Sequence, residues 1–219
     1  MVSTEQTKRL IPRPLWGTAR RLRKVSVGGL RRLQFTSLLL TRSYWGLIFA
    51  LNWWDIIDEH LILGGAMMFD DLDRLQGQGV GAVVNLCAER PDNRRKLQEV
   101  DIEYLWLPVF DAFPPTLDQI VRGVSWIDQQ LQTGRTVYIH CAVGVGRSAT
   151  LLACWYIYAK GMNVAQVLRL LKLRRPQVGL TRRQVRRLKE FEAWLEQHAN
   201  KSSYAWLHEP TTVWRTDIH

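Results

Sequence analysis

Residues 137–150 read VYIHCAVGVGRSAT, and few backbone arrangements can host that stretch. The apolar run Thr136–Ile139 reads as a buried strand, and Ser148–Lys160 reads as a helix. Between them lie His140, Cys141, five small or apolar residues and Arg147. Glycines at 144 and 146 let the backbone curl until successive N–H groups face one centre, and the helix adds its positive end. Cys141 then sits at the bottom of a ring formed by Ala142, Val143, Gly144, Val145 and Gly146, and Arg147 closes the rim. A thiolate beneath such a cradle, with a forked guanidinium beside it, suits nucleophilic attack on a phosphate. An inert buried cysteine in a glycine-containing turn would leave Arg147 and the glycines without a role. A Walker-type loop is excluded because Gly-Lys-Ser/Thr is absent, and a dinucleotide fingerprint by the glycine spacing.

The chain of 219 residues has room for one domain of about 150 residues with extensions. We divide it into a basic and hydrophobic N-terminal arm (1–52), a catalytic domain (53–198) and a C-terminal tail (199–219). Cys87, Cys141 and Cys154 have neither disulfide-framework nor metal-ligand spacing, which fits a reducing compartment and a cytoplasmic location. No metal or cofactor is called for. Charge is unevenly placed: residues 1–50 hold ten Lys/Arg against the single acid Glu5, while the rest of the chain is nearly neutral. The arm, with RRLRKVSVGGLRR followed by an apolar aromatic stretch, has two readings. Residues 8–54 either touch an anionic membrane peripherally at the cytoplasmic face, with Trp45, Trp53 and Trp54 at headgroup depth, or pack on the domain. The apolar stretch Ser43–Trp54 is too short to span a bilayer, and nothing resembles a cleaved secretory signal.

The element order predicts strands at His60–Leu63, Ala82–Leu86, Tyr104–Leu107 and Thr136–Ile139. Helices are expected at Asp70–Gln76, Arg94–Glu99 and Leu117–Leu131, with Asp70 and Thr116 as caps, and then at 148–160, 163–174 and 181–197. Strands alternating with crossover helices before a helical tail indicate an α/β three-layer sandwich with a mostly parallel central sheet and C-terminal helices. A ligand loop at the carboxyl end of a central strand is what such sheets favour.

The chemistry assigns further roles. Loop amides, the helix end and Arg147 all favour the anion, so the Cys141 pKa should be lowered. His140 reads as an orienting partner of the loop. Ser148 can direct its hydroxyl to the sulfur, or merely be a solvated helix start. A phosphomonoester also needs a proton for its leaving oxygen. Asp111 is a candidate, in a loop thirty residues before the cysteine. Asp118 is the rival, although an acid in a first helical turn has an ordinary dipole-related reason to be there.

His-Cys-x5-Arg-Ser resembles the signature of the cysteine-dependent protein tyrosine and dual-specificity phosphatases. The segments WWDIIDEHLILGGAM, VVNLCAE, LPVFDAFPPT, HCAVGVGRS and RRPQVGLTRRQVRRLKEFEAWL extend the likeness, in order, to the mitochondrial-type dual-specificity phosphatases and their bacterial and plant relatives. The resemblance implies Cys141 as nucleophile, Arg147 as phosphate clamp, Asp111 as general acid and Ala142–Gly146 as the amide cradle. It implies hydrolysis of a phosphorylated protein or phospholipid through a phosphocysteine. Members of the group act on phosphatidylglycerophosphate, phosphoproteins or phosphoinositides. The signature alone puts a phosphotyrosine or phosphoserine/threonine substrate first. The loop AVGVG carries no basic residue, which weakens a multiply charged headgroup, whereas the basic aromatic arm keeps a lipid open.

Other classes stay open: a catalytically silent phosphate-binding module, a nucleic-acid-binding module, and an RNA 5′-phosphatase. Arg182, Arg183, Arg186, Arg187 and Lys189 form a basic helix face, yet Val185, Leu188, Phe191 and Leu195 give that helix an ordinary core stripe. No specific nucleic-acid partner is expected.

Overall fold

A computed structural model describes residues 53–67 and 71–198. The arm 1–52, the expected cap Asp70 and the tail 199–219 lie outside the described residues. Five strands form one sheet in the order β1-β2-β5-β3-β4. They are β1 (Trp54–Asp58), β2 (Leu61–Gly64), β3 (Val80–Cys87), β4 (Glu103–Val109) and β5 (Thr136–His140). β5 runs parallel to both neighbours, β3 runs parallel to β4, and only the β1–β2 hairpin is antiparallel. The expected mostly parallel sandwich is what the chain forms.

Alternation along the strands builds two cores, one on each face. Leu61, Leu63, Ala82, Val84, Leu86, Val137 and Ile139 point to one side, while Ile62, Val83 and Tyr138 point to the other. The first face packs against α3 (Leu117–Gln132), α4 (Arg147–Lys160) and, beyond them, α5 (Val164–Arg174) and α6 (Arg182–His198). The second is covered by the short helices α1 (Asp71–Gln76) and α2 (Arg94–Glu99). α4 is buried along nearly its whole length, which explains why ATLLACWYI lacks a polar face.

Three expectations are corrected. β1, WDIID, is a strand additional to the four expected, and it carries two acids and an exposed Ile56. Its carboxylates are matched by remote groups, Asp55 by Arg175 at 2.5 Å and Asp58 by the Tyr156 hydroxyl at 3.3 Å. β4 does not stop before Pro108 but runs through it to Val109. It is an edge strand, where a residue without an N–H costs no ladder bond. Finally, Trp53 and Trp54 do not face outward as membrane anchors. Trp54 is buried edge-on against Tyr138 with the Arg74 guanidinium over its ring, and Trp53 Nε1 donates to the Ala66 carbonyl. Trp45 lies outside the described residues, and no described helix is long and apolar enough to cross a membrane.

Thr116 caps α3 as expected, in a reciprocal capping box with Gln119. The predicted stripe on α6 is largely buried at Leu188, Phe191 and Leu195. Phe191 lies in the larger core and is 1% exposed. Phe191→Ala should therefore cost about 3–5 kcal/mol. Urea unfolding would show this as a lowered midpoint with an unchanged slope.

Candidate active site

The Cys141 loop leaves the carboxyl end of β5, the central strand, and feeds directly into α4. Its carbonyls all point away from the ring. Ala142 O accepts from Ala66 N at 3.1 Å, Val145 O from Gly179 N at 3.1 Å, and Gly146 O from Thr150 N at 2.8 Å. Arg175 holds two more: Nε donates to Gly144 O at 2.9 Å and Nη2 to Val143 O at 3.1 Å. A peptide unit is planar, so an outward carbonyl sends the next N–H inward. Among the described residues, no acceptor meets the N–H groups of Ala142, Val143, Val145 and Gly146. They form a nest for an anion.

Gly144 makes this path possible. Its φ is +78°, and a Cβ there would come within 2.2–2.3 Å of the Gly64 backbone. Gly146 differs from expectation, since its φ of −122° is ordinary. Space is tight there, because a Cβ would meet the Gln184 amide at 3.2 Å and that side chain would have to give way.

The sulfur of Cys141 accepts from Gly144 N–H and from the Ser148 hydroxyl, both at 3.3 Å. Burial alone would raise this thiol's pKa. Arg147, the Ser148 hydroxyl and the Ser148 and Gly144 amides outweigh it, so the pKa is lowered from the ordinary 9.0. Cys87 and Cys154 show the opposite outcome, because burial without such donors pushes both thiols up.

Arg147 is 2% exposed. Its Nη1 and Nη2 bind the two oxygens of Glu89 at 2.7 and 2.8 Å, and Nη1 also donates to Val109 O at 2.9 Å. Burial opposes the charge, but the fork to Glu89 and the nearby Cys141 raise the guanidinium pKa further. Desolvation likewise works against the Glu89 carboxylate, and Arg147 overcomes it, leaving its pKa lowered. Asp111 approaches from the rim with Oδ1 3.2 Å from Arg147 Nη2, its side chain 85% exposed. Asp118 sits in the first turn of α3, and among the described residues no hydrogen bond or ion pair joins it to this cluster.

His140 faces away from the sulfur. Nε2 lies 2.8 Å from the Asp92 carboxylate, Nδ1 lies 3.4 Å from the Cys141 carbonyl, and the ring stacks on Tyr138. Asn85 Nδ2 donates to the same Asp92 oxygen at 2.9 Å, and Tyr104 accepts from Asp92 N at 3.0 Å. The sequence offers Glu89–Arg95 and the turn around Arg175–Leu180 only as candidate pocket walls, and it assigns no pairing to Glu89, Asp92 or Arg175 themselves. The first two follow the end of β3, where ligand loops are expected, and that was the available signal. Among the described residues, no three His, Cys, Asp or Glu side chains cluster as metal ligands would.

A thiolate, a ring of inward amides, a buried guanidinium and a rim carboxyl have a counterpart among known proteins. Residues 61–193 match the dual specificity phosphatase catalytic domain. The chain belongs to that family. Phosphatidylglycerophosphate phosphatase PTPMT2 of Arabidopsis thaliana is 33% identical over 170 residues, covering 76% of this chain and 74% of the relative. Phosphatidylglycerophosphatase and protein-tyrosine phosphatase 1 of Homo sapiens is 27% identical over 184 residues, 79% of this chain and 91% of that protein. Of solved structures, Tk-PTP in the active form aligns with a TM-score of 0.61 at 28% identity, over 64% of this chain and 97% of its own. PTPMT1 in complex with PI(5)P aligns at 0.64 over 68% of this chain and 99% of its own, a likeness of fold at 24% identity. As a dual specificity phosphatase domain, the chain is a cysteine-based phosphatase that works through a phosphocysteine.

The lowered Cys141 pKa has a checkable consequence. Alkylation by iodoacetamide, followed by peptide mass spectrometry, should modify Cys141 selectively at neutral pH, with a midpoint below the ordinary 9.0. Arg147→Met should move that midpoint upward, because burial remains and the counter-charge is gone. The sign for stability follows. The folded thiol loses its proton more readily than the unfolded one, so this contribution is complete above the unfolded value. It disappears as pH falls through the lowered folded value, and Cys141→Ser should abolish that dependence.

Proposed function

We propose that Cys141 Sγ attacks the phosphorus of a phosphomonoester while the amides of residues 142–146 and Arg147 hold the non-bridging oxygens. The S–P bond forms as the P–O bond to the alcohol breaks, and Asp111 gives its proton to that leaving oxygen. Water then attacks the phosphocysteine with Asp111 as base. Inorganic phosphate departs and the thiolate returns, stabilised by Ser148. His140 orients the loop. The observation that carries this reading is the Cys141 sulfur held by Gly144 and Ser148 at 3.3 Å with Arg147 and Asp111 at the rim.

The donors of Arg147 suggest how the rim responds. Glu89 and Val109 occupy Nη1, and Glu89 and Asp111 occupy Nη2, which leaves Nε open to an incoming anion. A phosphate taken on the Nε–Nη2 edge replaces the Asp111 oxygen, and the freed carboxyl turns to the leaving group.

For the substrate we propose a phospholipid monoester of the phosphatidylglycerophosphate type, met at a membrane surface. Support comes from relatives named for that activity that match most of this chain. The rim adds to it: Phe110 and Phe113, 76% and 50% exposed, flank Asp111, and the Arg183 guanidinium lies over the Phe113 ring. A second reading, a phosphotyrosine or phosphoserine/threonine protein, is favoured by the absence of any basic side chain between Cys141 and Arg147.

Release of inorganic phosphate under reducing conditions with EDTA tests both. Phosphatidylglycerophosphate in mixed micelles should exceed phosphotyrosine and phosphothreonine peptides in kcat/KM. Cys141→Ser should have no turnover, and Asp111→Asn should lose about 100-fold or more in kcat. Preference for a peptide would overturn the lipid assignment. A folded protein that turns over none of the three would overturn both and favour the RNA 5′-phosphate or silent-binding readings.

A further inference from the structure

Three helices of this domain begin with a reciprocal capping box, and in each the third helical residue is glutamine: Gln119 in α3, Gln166 in α5 and Gln184 in α6. The box uses only the side-chain oxygen, which accepts from the cap residue's N–H. A glutamate would serve equally well. Glutamine brings an additional NH2 group, and in two of the three boxes it ties down a flank of the Asp111 loop, the end of β4 in one case and the loop itself in the other. Gln119 Nε2 donates to Pro108 O at 2.8 Å, and Gln184 Nε2 donates to Phe113 O at 3.2 Å. Pro108 and Phe113 bracket Asp111. The Thr181 hydroxyl, the cap of α6, adds a contact of 3.3 Å to Ala112 O. Gln166 is exposed and makes only its capping bonds among the described residues.

These ties meet a segment that needs them. Phe110, Asp111 and Phe113 are exposed, and Ala112 sits at φ +61°, a left-handed conformation costly for a residue with a Cβ. Beside the Asp111–Arg147 contact and the Arg183 guanidinium over Phe113, the loop is tied down through its carbonyls. Gln184 is also 1% exposed and adjoins Gly146, placing one side chain between the phosphate ring and the Asp111 loop.

We infer that Gln119 and Gln184 are positioning residues, whose capping-box amides fix the Asp111 loop over the phosphate site. The inference rests on the general-acid reading of Asp111. The two boxes join helix starts to catalysis: the oxygen of each amide orders its helix, and the nitrogen orders the acid.

Glutamine-to-glutamate substitution separates the two functions, since it keeps the capping oxygen and removes the donor. The full chain would be assayed as wild type and as Gln119→Glu, Gln184→Glu, Gln166→Glu, Asp111→Asn and the double variant Asp111→Asn/Gln184→Glu. One substrate is phosphotyrosine, whose phenolic leaving group has a pKa of about 10 and needs a proton. The other is 2,4-dinitrophenyl phosphate, whose leaving group does not. Gln119→Glu and Gln184→Glu should each lower kcat/KM on phosphotyrosine by roughly tenfold, the scale of one hydrogen bond, and leave kcat/KM on the activated ester nearly unchanged, because kcat/KM reports the steps through P–O cleavage and not the later hydrolysis that both substrates share. Gln166→Glu should behave as wild type on both. In the Asp111→Asn background, Gln184→Glu should add no more than about twofold, because both act through one carboxyl. Equal losses on the two substrates, or full additivity in the double variant, would overturn the inference. If Asp111→Asn alone shows no leaving-group-dependent loss, the general-acid reading fails and takes this inference with it. A loss in Asp111→Asn without one in either glutamate variant sinks the positioning role alone.

Discussion

The outward anchoring of the Cys141 loop carbonyls is the constraint on which the rest of the site depends. Consecutive peptide units cannot turn their N–H groups toward one point unless their oxygens are satisfied elsewhere, because buried polar groups left unpaired are costly. Every carbonyl from Ala142 to Gly146 has such a partner, supplied by Ala66, Arg175, Gly179 and Thr150. Arg175 contributes most, since one buried guanidinium holds two adjacent oxygens and is itself oriented by Asp55 at 2.5 Å. Asp55 belongs to the edge hairpin and Arg175 to the α5–α6 turn. The Cys141 loop is thus braced by the edge hairpin and by the α5–α6 turn.

The same surroundings sort three chemically identical thiols. Cys87, Cys141 and Cys154 are all buried. Two are held as thiols by desolvation, while Cys141 is pulled toward the thiolate by donors that desolvation cannot cancel. A charge inside a fold is tolerable only when paired. Arg147 is shared for that reason among Cys141, Glu89 and Asp111, with Glu89 as the fixed partner and Asp111 as the exposed one. In the proposed mechanism an incoming phosphate competes with the exposed Asp111 carboxyl and leaves the Arg147–Glu89 pair intact.

Much of this was legible from the chain alone, for physical reasons. The central strand, the curled loop and the helix after it carry strong local signals, since apolar runs, glycines and a Cys-x5-Arg spacing constrain the backbone over a short range. The Thr116 cap and the α6 core stripe are local too. What escaped depends on remote partners. The β1 strand has two acids whose partners, Arg175 and Tyr156, lie more than ninety residues away in sequence. Arg175 and Gln184 sit in ordinary basic and capping patterns, RRPQ and TRRQ, and nothing local marks their buried contacts. Glu89 and Asp92 had a weaker signal, acids just beyond the carboxyl end of a parallel strand. Trp53 and Trp54 misled, because aromatic residues next to an apolar stretch suit either a lipid interface or a sheet face.

The central claim is that phosphoryl transfer passes through Cys141. The direct measurement is rapid acid quench of the Asp111→Asn protein during turnover of a phosphomonoester, followed by proteolysis and mass spectrometry of the peptide that contains residues 140–148. The account predicts one phosphoryl group on Cys141, formed in a burst and decaying as inorganic phosphate appears. Turnover with no phosphorylated peptide, or with the group on a different residue, would contradict it.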